Sequence, residues 1–131
     1  MKTLVVEDDF TSRLLLQELM KQYGQVHVAV NGKEAVTAVE KAFAANEPYD
    51  LICLDIMMPE MDGQEALSKI RSLEEARGTL STEGIKIVMT TALDDVKSVS
   101  KAYEKLCDGY LVKPIDKAKL TRQLRELKLV I

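Results

Sequence analysis

Five times along its 131 residues the chain passes from an apolar run of strand length to an amphipathic stretch of helix length, and this alternation restricts the fold more than any other feature. Strands separated by helices pair in parallel through right-handed crossovers, with the helices covering both faces of the sheet. The expected fold class is therefore α/β: a (βα)5 doubly wound parallel five-stranded sheet. Residues 3–6 read as the first strand. Residues 11–23 read as a helix with Leu15, Leu16, Leu19 and Tyr23 inward and Gly24 placed to end it. Val26, Val28 and Val30 alternate as a second strand. Asn31 followed by Glu34 has capping-box spacing and opens a helix with an inner stripe of Val36, Val39 and Phe43, broken at Asn46-Glu47-Pro48.

Residues 51–54 are apolar at every position, as a strand covered on both faces requires, which marks it as central. Asp62, with Glu65 after it, caps a helix built on Leu67, Ile70 and Leu73, and residues 77–84 read as a loop. Residues 85–90 form a fourth strand. Asp94 caps a helix with Val96, Val99, Tyr103 and Leu106 inward, residues 110–112 form a fifth strand, and Leu120, Leu124 and Leu127 mark the last helix.

The length suits one well-filled core, so residues 1–131 are expected to be a single domain. No stretch approaches the roughly 20 apolar residues of a membrane span. The start, Met1-Lys2-Thr3, runs directly into strand and acids without room for a signal peptide, so a cytoplasmic location is expected. Cys53 and Cys107 lie far apart and form no metal-binding pair, and Cys53, inside an apolar run, reads as a small hydrophobe. A net charge of -3 with few aromatics argues against nucleic-acid binding. The charge is uneven: residues 117–128 hold five bases against Glu126 alone, leaving -7 on the rest.

In doubly wound sheets, chemistry gathers at the C-terminal ends of the strands. The first strand is followed by Glu7, Asp8 and Asp9, the third by Asp55, the fourth by Thr90 and Thr91, and the fifth by Lys113-Pro114. If the first and third strands are neighbours, Asp8 and Asp55 come close, and two unit charges about 4 Å apart repel by about 4 kcal/mol at an effective dielectric near 20. Either one carboxylate is protonated or a cation sits between them, and an all-oxygen cluster with open positions suits Mg²⁺. Carboxylates, a hard metal, Lys113 and the Thr91 hydroxyl together make a site for a transferring phosphoryl group. A carboxylate can itself be the nucleophile, and Asp55, at the end of the central strand, is the first choice. A metal-dependent phosphatase with Asp8 or Asp9 as nucleophile is the rival reading, but it lacks the paired DxD spacing.

These residues resemble a family. Glu7-Asp8-Asp9, Leu54-Asp55-Ile56-Met57-Met58-Pro59 with Met61-Asp62-Gly63, Thr91-Ala92 and Lys113-Pro114 are similar to the signature of response-regulator receiver domains of the chemotaxis type, over essentially the whole chain. The resemblance implies a flavodoxin-like sheet in the order 2-1-3-4-5. It implies that Asp55 is the phosphoacceptor, charged by a phosphohistidine on a histidine kinase or phosphotransfer protein. Mg²⁺ would be held by Asp8, Asp55 and the backbone carbonyl of Met57, with Glu7 acting through water and Asp9 as the substitute for Glu7. Arg13 falls where the family often has a basic residue. Thr91 and Lys113 would bind phosphoryl oxygens, the Lys113-Pro114 bond would be cis, and Tyr110 would be the aromatic that turns inward on activation.

The activity implied is that of a phosphoacceptor switch in two-component signalling rather than an enzyme acting on external substrates. The face of the fourth helix, fifth strand and fifth helix would change its affinity for a downstream protein. A receiver-like module that works without phosphorylation is the alternative. A stand-alone monomer is expected, with dimerisation on phosphorylation left open, no membrane insertion, and output through a separate protein because the chain ends at Ile131. Met57 and Leu93, each two residues beyond a site residue, are apolar where some members have polar groups that align a hydrolytic water, which implies slow autodephosphorylation. The stretch 74–84 is longer than the family usually has there and reads first as a tolerated surface insertion and second as a specific partner contact. Asp9 reads equally well as a helix-start residue, and His27 as a packed or exposed strand residue.

Overall fold

The computed structural model describes residues 1–79, 84–92, 97–104 and 106–131. The elements run β1 (Lys2–Val6), α1 (Phe10–Met20) with a closing 3-10 turn, β2 (Gln25–Ala29), α2 (Gly32–Ala44), β3 (Leu51–Asp55), α3 (Gly63–Ala76), β4 (Lys86–Thr91), α4 (Lys97–Glu104), β5 (Gly109–Val112) and α5 (Lys117–Glu126). All strand pairings are parallel and the order is β2-β1-β3-β4-β5, the flavodoxin-like arrangement.

Strand alternation divides the core in two. Leu4 and Val6, Ile52 and Leu54, and Ile87 and Met89 face α2 and α3, whereas Val5, Leu51, Cys53, Val88 and Leu111 face α1 and α5. Every residue of β3 is buried, which fits its apolar run and its central place. Full burial pushes the Cys53 thiol up to about 12, so it behaves as the small hydrophobe expected.

The helix starts follow local chemistry. Asn31 accepts from the Glu34 N–H at 2.8 Å, and the Glu34 carboxylate accepts in return from the Val30 N–H at 3.0 Å. Asp62 caps α3 through the Glu65 N–H at 2.9 Å. Asp116, with no sequence assignment, caps α5 through the Lys119 N–H at 2.8 Å. Asp94 and Val96 lie outside the described residues, as do positions 80–83 of the long stretch.

Several inward assignments are corrected. In α1 the buried positions are Leu16 and Met20, while Leu15 is exposed, because the helix turns a narrower stripe to the sheet than the leucine run suggests. Val28 and Val30 are exposed, since β2 is an edge strand and Ala29 is its buried residue. In α4 the small Ala102 is buried, whereas Tyr103 and, beyond the helix end, Leu106 face solvent. His27 packs edge-on to Tyr49, its Nδ1 2.7 Å from the Tyr49 hydroxyl, which is a packing role.

The stretch 74–84 is clamped at its base. Arg71, buried in α3, contacts Glu74 Oε1 at 2.6 Å and Asp108 Oδ2 at 2.8 Å, and donates to the carbonyls of Ile85 and Leu106. The other Glu74 oxygen accepts the Ile85 N–H at 2.7 Å. Both ends of the stretch are therefore tied to one buried ion network, and the sheet beyond it keeps its register.

Candidate functional site

The C-terminal ends of β1, β3, β4 and β5 converge on one acidic pocket. Glu7 follows β1, wholly buried, its N–H bonded to the Ala29 carbonyl at 3.1 Å and its Oε2 accepting from the Asp9 N–H at 3.1 Å. Asp8, next along, is exposed. Asp9 turns away to cap α1, accepting the Ser12 N–H at 2.9 Å, and that hydrogen bond holds its carboxyl below the usual range. Arg13 reaches back from α1 and donates to the Glu7 carbonyl at 2.9 Å and the Asp8 carbonyl at 3.4 Å, fastening the loop that carries both acids.

Asp55 ends β3 and is 4% exposed. The backbone after it is fixed from two sides: the Ile56 N–H bonds to the Thr90 carbonyl at 3.0 Å, and its carbonyl accepts from Gly63 N–H at 2.8 Å. A Cβ at residue 63 would stand 2.2 Å from the Asp55 carbonyl oxygen, so glycine is required by close approach. Gly32, at the start of α2, donates to the Met61 carbonyl at 3.2 Å and secures the far end of the same loop. The Met57 N–H lies 3.4 Å from Asp55 Oδ1, and the Met57 side chain is 64% exposed.

Lys113, beyond β5, is anchored by its N–H to the Thr91 carbonyl at 2.8 Å, and the Lys113-Pro114 bond is cis. Its ammonium lies 2.5 Å from Glu7 Oε1 and 3.5 Å from Asp55 Oδ2. Thr91 is buried at the end of β4 and its hydroxyl donates to the Ala92 carbonyl at 3.2 Å. Tyr110 is 37% exposed and meets the Tyr103 ring edge-on at 6.3 Å. Position 93 lies outside the described residues.

Glu7, Asp8 and Asp55 each offer a carboxylate oxygen within 4.8 Å of the others. The electrostatic consequence shows on Asp55: burial, then its hydrogen bond and repulsion with Glu7, push its carboxyl up to about 8. On Glu7, burial acts upward but is outweighed by hydrogen bonds to Asp55 and Lys113, which hold the carboxyl below its usual range. Without a cation, the pair therefore keeps its proton on Asp55. Three convergent carboxylate oxygens are the donor set of a hard divalent cation, and they fit Mg²⁺. A second recess of about 880 Å³, between β2 and α2, contains none of these groups.

The pocket thus unites Glu7, Asp8, Asp55, Thr91 and Lys113 from four strand ends. Arg13 and Gly63 carry more of its construction than their sequence signal suggested, Arg13 through carbonyls that no residue pattern reveals.

A family model for the response regulator receiver domain matches residues 3–125. The chain belongs to this family. The receiver domain is 37% identical over 129 residues to hybrid signal transduction histidine kinase B of Dictyostelium discoideum, covering 94% of this chain and 6% of that protein. Among solved structures it resembles the receiver domain of the sensor histidine kinase PA1611 from Pseudomonas aeruginosa, described with a magnesium ion in its active-site cleft. That likeness has a TM-score of 0.77 and 25% identity, covering 97% of each chain. It also resembles the Saccharomyces cerevisiae complex of the phosphotransfer protein Ypd1 with the receiver domain of Ssk1, with a TM-score of 0.81 and 27% identity, covering 97% of this chain and 88% of that one. These matches include receivers within kinases, so family membership extends to receiver domains in general and does not single out the stand-alone chemotaxis type. Among the described residues no helix is long and apolar enough to cross a membrane.

Proposed function

We propose that this receiver domain is a phosphorylation switch in which Asp55 takes a phosphoryl group from a phosphohistidine on a histidine kinase or phosphotransfer protein. The observation that carries the reading is the buried Asp55 carboxyl beside Glu7, with the Lys113 ammonium bridging the two. An oxygen of the ionised Asp55 carboxylate attacks phosphorus as the bond to the nitrogen of a phosphohistidine protonated on its other ring nitrogen breaks, leaving an acyl phosphate and a neutral imidazole. Mg²⁺, held by Asp8, Asp55 and the Met57 carbonyl with Glu7 through water, would neutralise charge on the transferring group. Lys113 offsets the negative charge remaining on the phosphoryl oxygens, and the Thr91 hydroxyl, leaving the Ala92 carbonyl, donates to another.

Phosphorylation then acts as a population shift, through contacts that differ between two states. Tyr110, half out against Tyr103, would pack inward behind Thr91. The α4, β5 and α5 face would then change its affinity for a downstream protein. The basic stretch 117–128 and the exposed Tyr103 and Leu106 support this choice of face. The domain catalyses its own phosphorylation and slow dephosphorylation and is not an enzyme for external substrates. The phosphotransfer complex described for the Ssk1 receiver supports the donor class.

The test is intact mass after incubation with Mg²⁺ and acetyl phosphate. One phosphoryl group per chain, lost in Asp55→Ala, is expected. No uptake indicates a phosphorylation-independent module, and continued turnover of varied phosphate esters indicates a phosphohydrolase.

A further inference from the structure

Thr90 is buried, and its hydroxyl has no hydrogen-bond partner among the described residues. Valine would fill the same space without that cost, so packing alone does not account for a threonine here. Its position is specific. Thr90 pairs in register with Asp55 across β3 and β4. Alternation from Val5, Cys53, Val88 and Leu111 places Glu7, Asp55, Thr90 and Lys113 on the same face of the sheet. The neighbouring Thr91 falls on the opposite face, with Met89. Because β4 lies between β5 and β3, the Lys113 side chain must cross β4 on the face carrying Thr90 to reach Asp55 and Glu7.

We propose that Thr90 is a positioning residue for phosphorylation, an inference that rests on the proposed role of Asp55. An ammonium has three N–H donors, and in the present arrangement Glu7 and Asp55 stand at two of them. A phosphoryl group on Asp55 draws the ammonium off Glu7 and back over β4, where the Thr90 hydroxyl accepts one of its hydrogen bonds. Thr90 thereby holds Lys113 on the phosphoryl oxygens.

The experiment compares wild type, Thr90→Val and Thr90→Ser by intact mass during phosphorylation with acetyl phosphate and Mg²⁺, and by thermal unfolding without added metal. Thr90→Val is expected to slow phosphorylation by about three- to tenfold, the worth of one hydrogen bond. Thr90→Ser is expected to restore the rate, and the unfolding temperature of Thr90→Val to stay level or rise. In a Lys113→Ala background the Thr90→Val effect is expected to vanish, while in Thr91→Ala it persists. Equal rates in wild type and Thr90→Val, no rescue by serine, or an undiminished effect without Lys113 would overturn the inference alone. A wild-type protein that takes up no phosphoryl group defeats the proposed role of Asp55 and this inference with it.

Discussion

Glu7 and Lys113 form a 2.5 Å ion pair in which the carboxylate is wholly buried and the ammonium is partly open to solvent. Removing the lysine leaves a buried charge without its partner, which typically costs about 3–5 kcal/mol, with partial exposure favouring the lower end. Lys113→Met should therefore destabilise the metal-free protein by about 3 kcal/mol in urea unfolding, and Mg²⁺ should recover part of the loss. A change below about 1 kcal/mol would mean that the pair does not hold the pocket together.

The raised Asp55 carboxyl gives stability a pH dependence of definite sign. The folded state holds this proton more tightly than the unfolded chain. The contribution is fully present below the ordinary value of 3.8 and is lost as pH rises through about 8. The metal-free protein should unfold at progressively lower temperature across that window, and the stabilisation by Mg²⁺ should grow across it as the competing proton leaves. Asp55→Asn should flatten both trends. A Mg²⁺ effect that stays constant between pH 6 and 9 would contradict the shared-proton description.

Gly63 lies close against the backbone of the proposed phosphoacceptor, with room for no Cβ beside the Asp55 carbonyl. Gly63→Ala must push the loop off the end of β3. It should cost about 1–3 kcal/mol, as overpacking does, and reduce phosphoryl uptake by misplacing Asp55. Urea unfolding and intact mass check the two halves separately, and normal uptake with normal stability would show that the loop yields freely.

Met57, two residues beyond Asp55, presents an exposed apolar side chain, which offers no polar group to orient a water for attack on the proposed acyl phosphate. Replacing Met57 with Asn and Leu93 with Glu should accelerate loss of the phosphoryl group by about tenfold, the worth of about one hydrogen bond to the attacking water. The measurement is the decay of the phosphorylated mass after the donor is removed. An unchanged half-life would place control of hydrolysis elsewhere.

How much of this was legible in the sequence depends on what fixed each feature. The run Leu51-Ile52-Cys53-Leu54 named the central strand because burial on both faces leaves no polar position. Asn31 and Asp62 declared their helices because capping is local chemistry. The acids, threonine and lysine of the pocket were readable because strand ends in this topology converge. The misses have the opposite origin. The inward face of α4 is set by which residue meets the sheet, and that is Ala102 rather than the larger Tyr103 or Leu106. Val28 and Val30 alternate correctly but lie on or beside an edge strand with little to pack against. Arg71 with Asp108 joins residues distant in the chain, and Arg13 binds backbone carbonyls, which no pattern of residue types encodes.

The central claim is that the phosphoryl group forms an acyl phosphate on Asp55, and borohydride reduction of freshly phosphorylated protein tests it most directly. Reduction converts a phosphorylated aspartate to homoserine, which peptide mass mapping locates. The account predicts homoserine at position 55 alone, dependent on Mg²⁺ and absent from unphosphorylated protein. Homoserine at Asp8 or Asp9, or phosphorylated protein that yields none, would contradict it.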